Sequence, residues 1–266
     1  MQKEAIKFSD SLCFEGMTSI RAIIKGIDNG INDRKIIKVL YDGKKAIKNA
    51  KPLSYLKAVA EKYNYILEET TEEELEKITL GNSHGGIVAI TEERTLPCLS
   101  YDNFTTEIFP TGFYAMIQGI EDPYNFGYAI RSLYACGCDS IILGERNWMN
   151  AAGVVCRSSA GASEMIKIYK CDDITAAELF KNNGYSIVCA DERTDNILGE
   201  CDLQLPLLLV VGGEKRGISR ALLEYADKLI KIPYNRDFNA SLSAASATAM
   251  FAYEIMRQNK IKQQQI

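Results

Sequence analysis

An α/β chain whose larger part is a mostly parallel sheet is predicted by two observations. Short, near-continuous apolar runs at 140–143 (SIIL), 186–190 (SIVCA) and 207–211 (LLLVV) alternate with stretches of helical spacing, the pattern of strands buried on both faces between helices. An apolar share of 47% and a charged share of 25% over 266 residues supply enough core for one large domain or two small ones.

Taken in order, residues 1–95 read as a small α/β domain. The runs 36–41 (IIKVLY), 65–67 and 85–91 (GGIVAIT) read as strands, and 53–64 has helical spacing. Residues 71–77 open with Thr71 followed by Glu74 three places on, a capping box that starts a helix. Residues 96–112, with Pro97, Pro110 and Gly112, read as a linker.

From 113 to 266 the pattern becomes strand then helix. Strands are expected at 114–117, 140–143, 166–169, 186–190, 207–211 and 229–232. Helices are expected at 125–137, 151–159, 176–182, 219–227 and 244–258, with the tail KIKQQQI frayed.

Composition excludes several functions. A single histidine, His84, removes two-histidine zinc sites, and its expected role is a polar contact in the small domain. The eight cysteines form no CxxC pair, so zinc-ribbon and thioredoxin-like readings fail; Cys136 and Cys138 are read with the rest as reduced thiols. No apolar run approaches the ~20 residues that span a bilayer. The first residues, MQKEAIKFSD, have no apolar signal region, so a cytoplasmic location is expected. The net charge of −4 argues against indiscriminate polyanion binding, yet residues 1–57 carry twelve Lys/Arg against six Asp/Glu.

Neither GxGxxG nor GxxxxGK[ST] is present, which disfavours a nicotinamide dehydrogenase and a P-loop NTPase. Ligands of such sheets sit beyond the carboxyl ends of strands, and three exits are polar. The first, IQGIEDPYNFGYAIRSL, places Asn125 at a helix start, where it can cap, and Arg131 six residues on. The second, GGEKRGIS, sets Glu214 on a glycine turn with Gly212 and Gly217, and its glycines allow close backbone approach. The third, YNRDFNASLSAASA, brings Asn239, Ser241 and Ser243 to a small-residue helix start, with Asn239 or Ser241 as the expected cap.

Together these loops resemble the SpoU/TrmH group of RNA 2′-O-ribose methyltransferases of the SPOUT superfamily. A DP-x-N-x-G-x-x-x-R core is met by Asp122, Pro123, Asn125, Gly127 and Arg131; a G-x-E-x-x-G turn by Gly212, Glu214 and Gly217; and an Ile-Pro…N-x-S segment by Ile232, Pro233, Asn239 and Ser241. GNSHGGIVAI is similar to the end of the substrate-binding domain many members carry. The third loop departs from the family pattern: it is short, Asp237-Phe238 precedes Asn239, and Ser243 stands where alanine is common.

The resemblance implies an N-terminal RNA-binding domain (1–95), a SPOUT methyltransferase domain (113–266) with a C-terminal trefoil knot, S-adenosyl-L-methionine as cofactor, and a homodimer with the last helix in its interface. It implies catalytic-site roles for Asn125, Arg131, Glu214, Asn239 and Ser241, with Glu214 expected to hold Arg131. Gly212, Gly217, Ile232 and Phe238 become the cofactor candidates. Arg21, Arg34, Lys35, Lys44 and Lys45 become candidate RNA phosphate contacts. The expected reaction is methyl transfer to a ribose 2′-hydroxyl of RNA, ribosomal RNA ahead of transfer RNA. The alternatives are an RNA-binding ribosome-assembly factor that kept the fold and lost turnover, and a superfamily enzyme acting on a base.

Overall fold

A computed structural model describes residues 12–48, 50–80, 84–105, 109–120, 122–144 and 149–263. The N-terminal decapeptide and the end of the KIKQQQI tail lie outside the described residues. The chain forms two compact units.

The first unit combines residues up to Thr95 with the described residues 149–165. Its four-stranded sheet has the order β1-β4-β2-β3, from β1 (Cys13–Glu15), β2 (Ile36–Asp42), β3 (Ile66–Thr70) and β4 (Ile87–Thr91). Only the β2–β3 pair is parallel. Helix α1 (Gly16–Asp28) was not foreseen; it buries Ile20, Ile23 and Ile24, one apolar stripe at helical spacing. Two further helices, α2 (Gly43–Lys48) and α3 (Ala50–Ala60), follow β2. The capping box forms as expected: the Thr71 side chain accepts from Glu74 N at the start of α4 (Glu72–Ile78). His84 is buried, and its Nδ1 accepts from Gly86 N at 3.1 Å.

Residues 149–165 correct the domain boundary drawn at 113–266, because they pack within the first unit. A 3₁₀ turn (Met149–Ala151), α6 (Ala152–Ser158) and α7 (Ala162–Met165) carry Ala152 and Cys156 into the cluster of Phe14, Ile20 and Ile23. The physical reason is partly ionic. Arg34 and Glu164 are both fully enclosed, with Arg34 Nε 3.0 Å from Glu164 Oε2. Asn32 Nδ2 donates to the Glu164 carbonyl at 2.7 Å, and Arg94 Nη1 donates to the Ser163 carbonyl at 2.7 Å.

The second unit holds residues from Leu96 through the described residue 144, and from Ile166 onward. Its sheet comprises β5 (Phe113–Gln118), β6 (Ser140–Leu143), β7 (Lys167–Lys170), β8 (Ser186–Ala190), β9 (Leu207–Gly212) and β10 (Lys228–Ile230), in the order β10-β8-β9-β5-β6-β7. Every pairing is parallel. Both faces are covered, which is why its strands read as continuous apolar runs. The covering elements include α5 (Pro123–Ala135), α8 (Asp173–Asn182), the short α9 (Arg220–Leu223) and α10 (Ala244–Gln263). The expected helix at 219–227 is therefore a single turn. From the stretch 96–112, read as a linker, buried Leu99 and Phe109 instead join this core. Although β10 lies at the sheet edge, α10 returns to pack on α5 and β9.

The cysteines are free thiols, five of them buried. Burial pushes the Cys189 thiol up to about 12 and Cys171 to about 11, so neither is a nucleophile near neutral pH.

Candidate active site

Strand order reverses between β9 and β5, the place where a doubly wound sheet opens a crevice. Beyond the carboxyl ends of β8, β9 and β10 lies a cavity of about 770 Å³. Its lining comes from three strand exits and from the start of α10. Among the predicted residues, Gly212, Glu214, Gly217, Ile232, Phe238 and Ser241 line it, whereas Asn125, Arg131 and Asn239 do not.

The β9 turn is held by close backbone packing. Gly213 N donates to Gln118 O at 2.8 Å, and Gly217 N to Gly213 O at 2.9 Å. A Cβ on Gly213 would lie 2.0 Å from Gly119 O, and one on Gly212 would lie 2.3 Å from Gly217 C. Gly217 sits at φ +59°, in the left-handed region that favours glycine. These positions accept no side chain without moving backbone.

Helix α5 begins on Asp122, not on Asn125. The Asp122 carboxylate accepts from Asn125 N at 2.8 Å, with Pro123 in the first turn. That leaves the Asn125 side chain to reach across the site, where Nδ2 donates to Glu214 Oε1 at 3.2 Å. The same oxygen accepts from Ala244 N, the first residue of α10, at 2.9 Å. A carboxylate at a helix N-terminus satisfies an orphan N–H and meets the positive end of the helix dipole.

This corrects the expected Glu214–Arg131 contact. Glu214 is engaged by Asn125 and Ala244, while Arg131 is exposed with no ion pair among the described residues. It also corrects the expected cap of α10. Ser243 Oγ accepts from Ser246 N at 3.2 Å, and Asn239 and Ser241 stand exposed ahead of the helix.

The third loop is pinned by an unexpected contact. Leu242 N donates to the Tyr234 hydroxyl at 3.1 Å, closing the segment from one end to the other. Tyr234 and Phe238 meet with ring centroids 5.9 Å apart at 60°. Ile232, earlier in the same loop, has no hydrogen bond to its main-chain N–H or C=O among the described residues.

Two sets of residues escaped the sequence reading. Gln118 ends β5; its Nε2 donates to Asp173 Oδ2 at 2.6 Å, and its Oε1 accepts from Ser219 N at 2.9 Å. Burial, with Asp172 nearby, raises the Asp173 carboxyl above its ordinary value. At the β8 exit, Asp191 and Arg193 line the cavity as a two-pronged pair, at 2.9 and 2.7 Å. The Arg193 hydrogen bonds hold the Asp191 carboxyl below its ordinary value. The available signal was position: each lies at the carboxyl end of an apolar strand. No motif distinguished them from ordinary loop residues.

The five candidate phosphate contacts in the first unit differ in availability. Arg34 is corrected outright, since it is 2% exposed and bound to Glu164. Lys35 and Lys45 are each paired, with Glu92 and Glu72. Lys44 is exposed, and exposed Arg21 lies over the Tyr55 ring. Among the described residues no acidic, histidine or cysteine cluster suits a metal ion. No helix of the described residues is long and apolar enough to cross a membrane.

Comparison with known proteins adds an independent line. The model of the SpoU rRNA methylase family matches residues 112–253. The 23S rRNA (guanosine-2′-O-)-methyltransferase RlmB of Blochmanniella floridana is 31% identical over 206 residues, 75% of this chain and 79% of that protein. A protein of Staphylococcus saprophyticus described as a TrmH family tRNA/rRNA methyltransferase is 33% identical over 143 residues, 53% of this chain. The chain spans 57% of the length of that relative. Among solved structures, the methyltransferase AviRb of Streptomyces viridochromogenes, crystallised with AdoMet, superposes with a TM-score of 0.74. It is 22% identical and covers 96% of this chain and 97% of its own, a likeness that shows a shared fold.

Proposed function

This chain belongs to the SpoU rRNA methylase family, and from that premise we propose that it transfers a methyl group from S-adenosylmethionine to a ribose 2′-hydroxyl of RNA, with ribosomal RNA as the substrate class. The observation that carries the reading is the convergence of the three motif loops. Glu214 joins Asn125 of the first loop to the start of α10 after the third, beside a cavity of about 770 Å³.

The cavity suits such a cofactor. Gly212 and Gly213 line it as bare main chain, and neither accepts a side chain, because a Cβ would meet the backbone of Gly217 or of Gly119. The N–H and C=O of Ile232, without a hydrogen bond among the described residues, offer a donor and an acceptor to an adenine edge. Apolar Ile230, Pro233 and Leu242 complete the lining. When bound, S-adenosylmethionine supplies a methyl carbon on a positively charged sulfur, open to in-line attack by oxygen.

The chain's own residues then position and stabilise. Holding two reactants in line contributes about 7–11 kcal/mol, the larger share of what this reaction needs. Arg131 lies on α5 six residues past Asn125, exposed and without an acidic partner among the described residues. A guanidinium stays protonated, so its role is to stabilise the developing 2′-alkoxide and hold the neighbouring phosphate, not to take the proton. The proton leaves to solvent. Asn125 and Glu214 act as positioning residues, Ser241 offers a hydroxyl on the cavity lining, and exposed Asn239 offers an amide in the same loop.

The same reading includes a homodimer. Helices α5 and α10 pack together and leave Tyr124, Tyr128, Met250 and Tyr253 exposed, an apolar surface for a second copy. Sedimentation of the full chain as a monomer across the micromolar range would remove that part.

The deciding experiment supplies methyl-labelled S-adenosylmethionine with unmodified ribosomal or transfer RNA, followed by alkaline digestion. Label in alkali-resistant dinucleotides from ribosomal RNA is the expected result. Label only in alkali-sensitive nucleotides would transfer the reading to a base. Absence of both label and cofactor binding would favour a non-catalytic RNA-binding factor.

A further inference from the structure

The mouth of the cavity carries two aromatic rings that its chemistry so far leaves unused. Tyr234 and Phe238 line the cavity, yet 43% and 56% of their surface faces solvent. Exposed rings of this size are costly to hydrate, and here they are not mobile decoration. The Tyr234 hydroxyl is fixed by Leu242 N, and the Phe238 ring packs against Tyr234 at 60°. The loop thus holds two flat, partly exposed apolar faces on the lining of the cavity.

We infer that Tyr234 and Phe238 form a stacking platform for an unpaired nucleobase of the RNA substrate, next to the ribose that receives the methyl group. The inference rests on the methyl-transfer reading for the identity of the partner. It reassigns Phe238, expected above to touch the cofactor, to the nucleic acid. Single-stranded RNA is recognised chiefly by bases splayed onto aromatic side chains, and every base offers a π-face.

The surrounding charges agree with this division of labour. Arg216 on the β9 turn and Arg236, between Tyr234 and Phe238 in sequence, are exposed and have no ion pair among the described residues, so each is available to a phosphate. Exposed Glu192 lines the same cavity, and exposed Asp237 follows Arg236 in the loop, so the local charge is close to balance. A polyanion gains little there from charge alone. Affinity at this rim comes from the rings, and it should depend on bases more than on salt.

The test uses the full chain and two fluorescent probes, a short oligoadenylate and a base-free ribose-phosphate chain of equal length. Binding of S-adenosylhomocysteine is measured in parallel. The wild-type protein is expected to prefer the base-bearing probe by about tenfold or more, the usual contribution of one stacked base. Replacing both rings (Tyr234→Ala with Phe238→Ala) removes that preference and leaves the base-free probe bound as before, while Tyr234→Phe, which loses only the bond to Leu242 N, keeps the preference. Phe238→Trp retains it. Because both rings are exposed, their removal spares the core. Equal binding of the two probes by the wild type would overturn the platform. So would a double variant that loses S-adenosylhomocysteine but keeps the base preference, which would return the rings to the cofactor. A base preference without any S-adenosylhomocysteine binding would support the platform and overturn the methyl-transfer reading instead.

Discussion

Asn125 Nδ2 and Glu214 Oε1 are joined at 3.2 Å, and through that oxygen the first loop is tied to Ala244 N at the head of the final helix. One carboxylate therefore registers three segments that are far apart in the chain. Glu214→Ala removes both bonds. Its cost to stability should be about 1 kcal/mol, the usual loss of a helix cap. The loss of methyl transfer should be much larger than that figure, because positioning is what the site supplies. Parallel urea unfolding and single-turnover transfer would check this, and equal losses in the two would refute the positioning role.

Arg131→Ala separates chemistry from folding. The side chain is exposed and has no ion pair among the described residues, so stability should change by no more than about 0.5 kcal/mol. Turnover should fall by about 10²–10³-fold, the effect of removing one donor aimed at a developing oxyanion. Full turnover in the variant would remove Arg131 from the mechanism.

Gly213→Ala places a methyl 2.0 Å from Gly119 O, a contact that only backbone movement relieves. The β9 turn must open, and Gly213 N loses its bond to Gln118 O. Calorimetric titration with S-adenosylhomocysteine should show binding lost or weakened by at least about tenfold, since near-atomic placement governs such sites. Unchanged affinity would mean that the cofactor does not lie against the β9 glycine turn.

Glu164→Ala leaves the Arg34 guanidinium buried without its counter-charge. Breaking one side of a buried pair costs about 3–5 kcal/mol, whereas exchanging both partners for apolar residues of similar volume is often neutral. Denaturant midpoints should thus fall sharply for Glu164→Ala and recover in the double variant Arg34→Met, Glu164→Leu. If the single variant were as stable as the wild type, the pair would be ornamental.

Much of this was legible in the sequence, and the failures share a cause. Strands of the second unit announced themselves because burial on both faces forces continuous apolar runs, as in LLLVV at β9. The motif loops were legible because glycine, proline and a capping carboxylate leave local signatures. Helix α1 was missed because its first turn, Gly-Met-Thr-Ser, lacks a side-chain cap and hides the apolar stripe that follows. The partner of Glu214 was misassigned because Arg131 offers opposite charge, while the structure uses an amide and a helix end. Arg34 read as a surface cation because its carboxylate partner, Glu164, lies 130 residues away. Sequence pattern reports which face of an element is buried; it does not report what covers that face when the cover is distant in the chain.

The split composition of the first unit has a practical consequence for modularity. Its fold needs both the stretch ending at Thr95 and the described residues 149–165. A single cut near residue 95 therefore frees neither piece intact. A fragment starting at residue 96 would carry Ala152 and Cys156 stripped of their apolar neighbours, and Glu164 without its arginine. Exchange of the N-terminal stretch between relatives would have to carry the distant helical pair with it, so recombination at the apparent boundary breaks a core where the sequence suggests a seam.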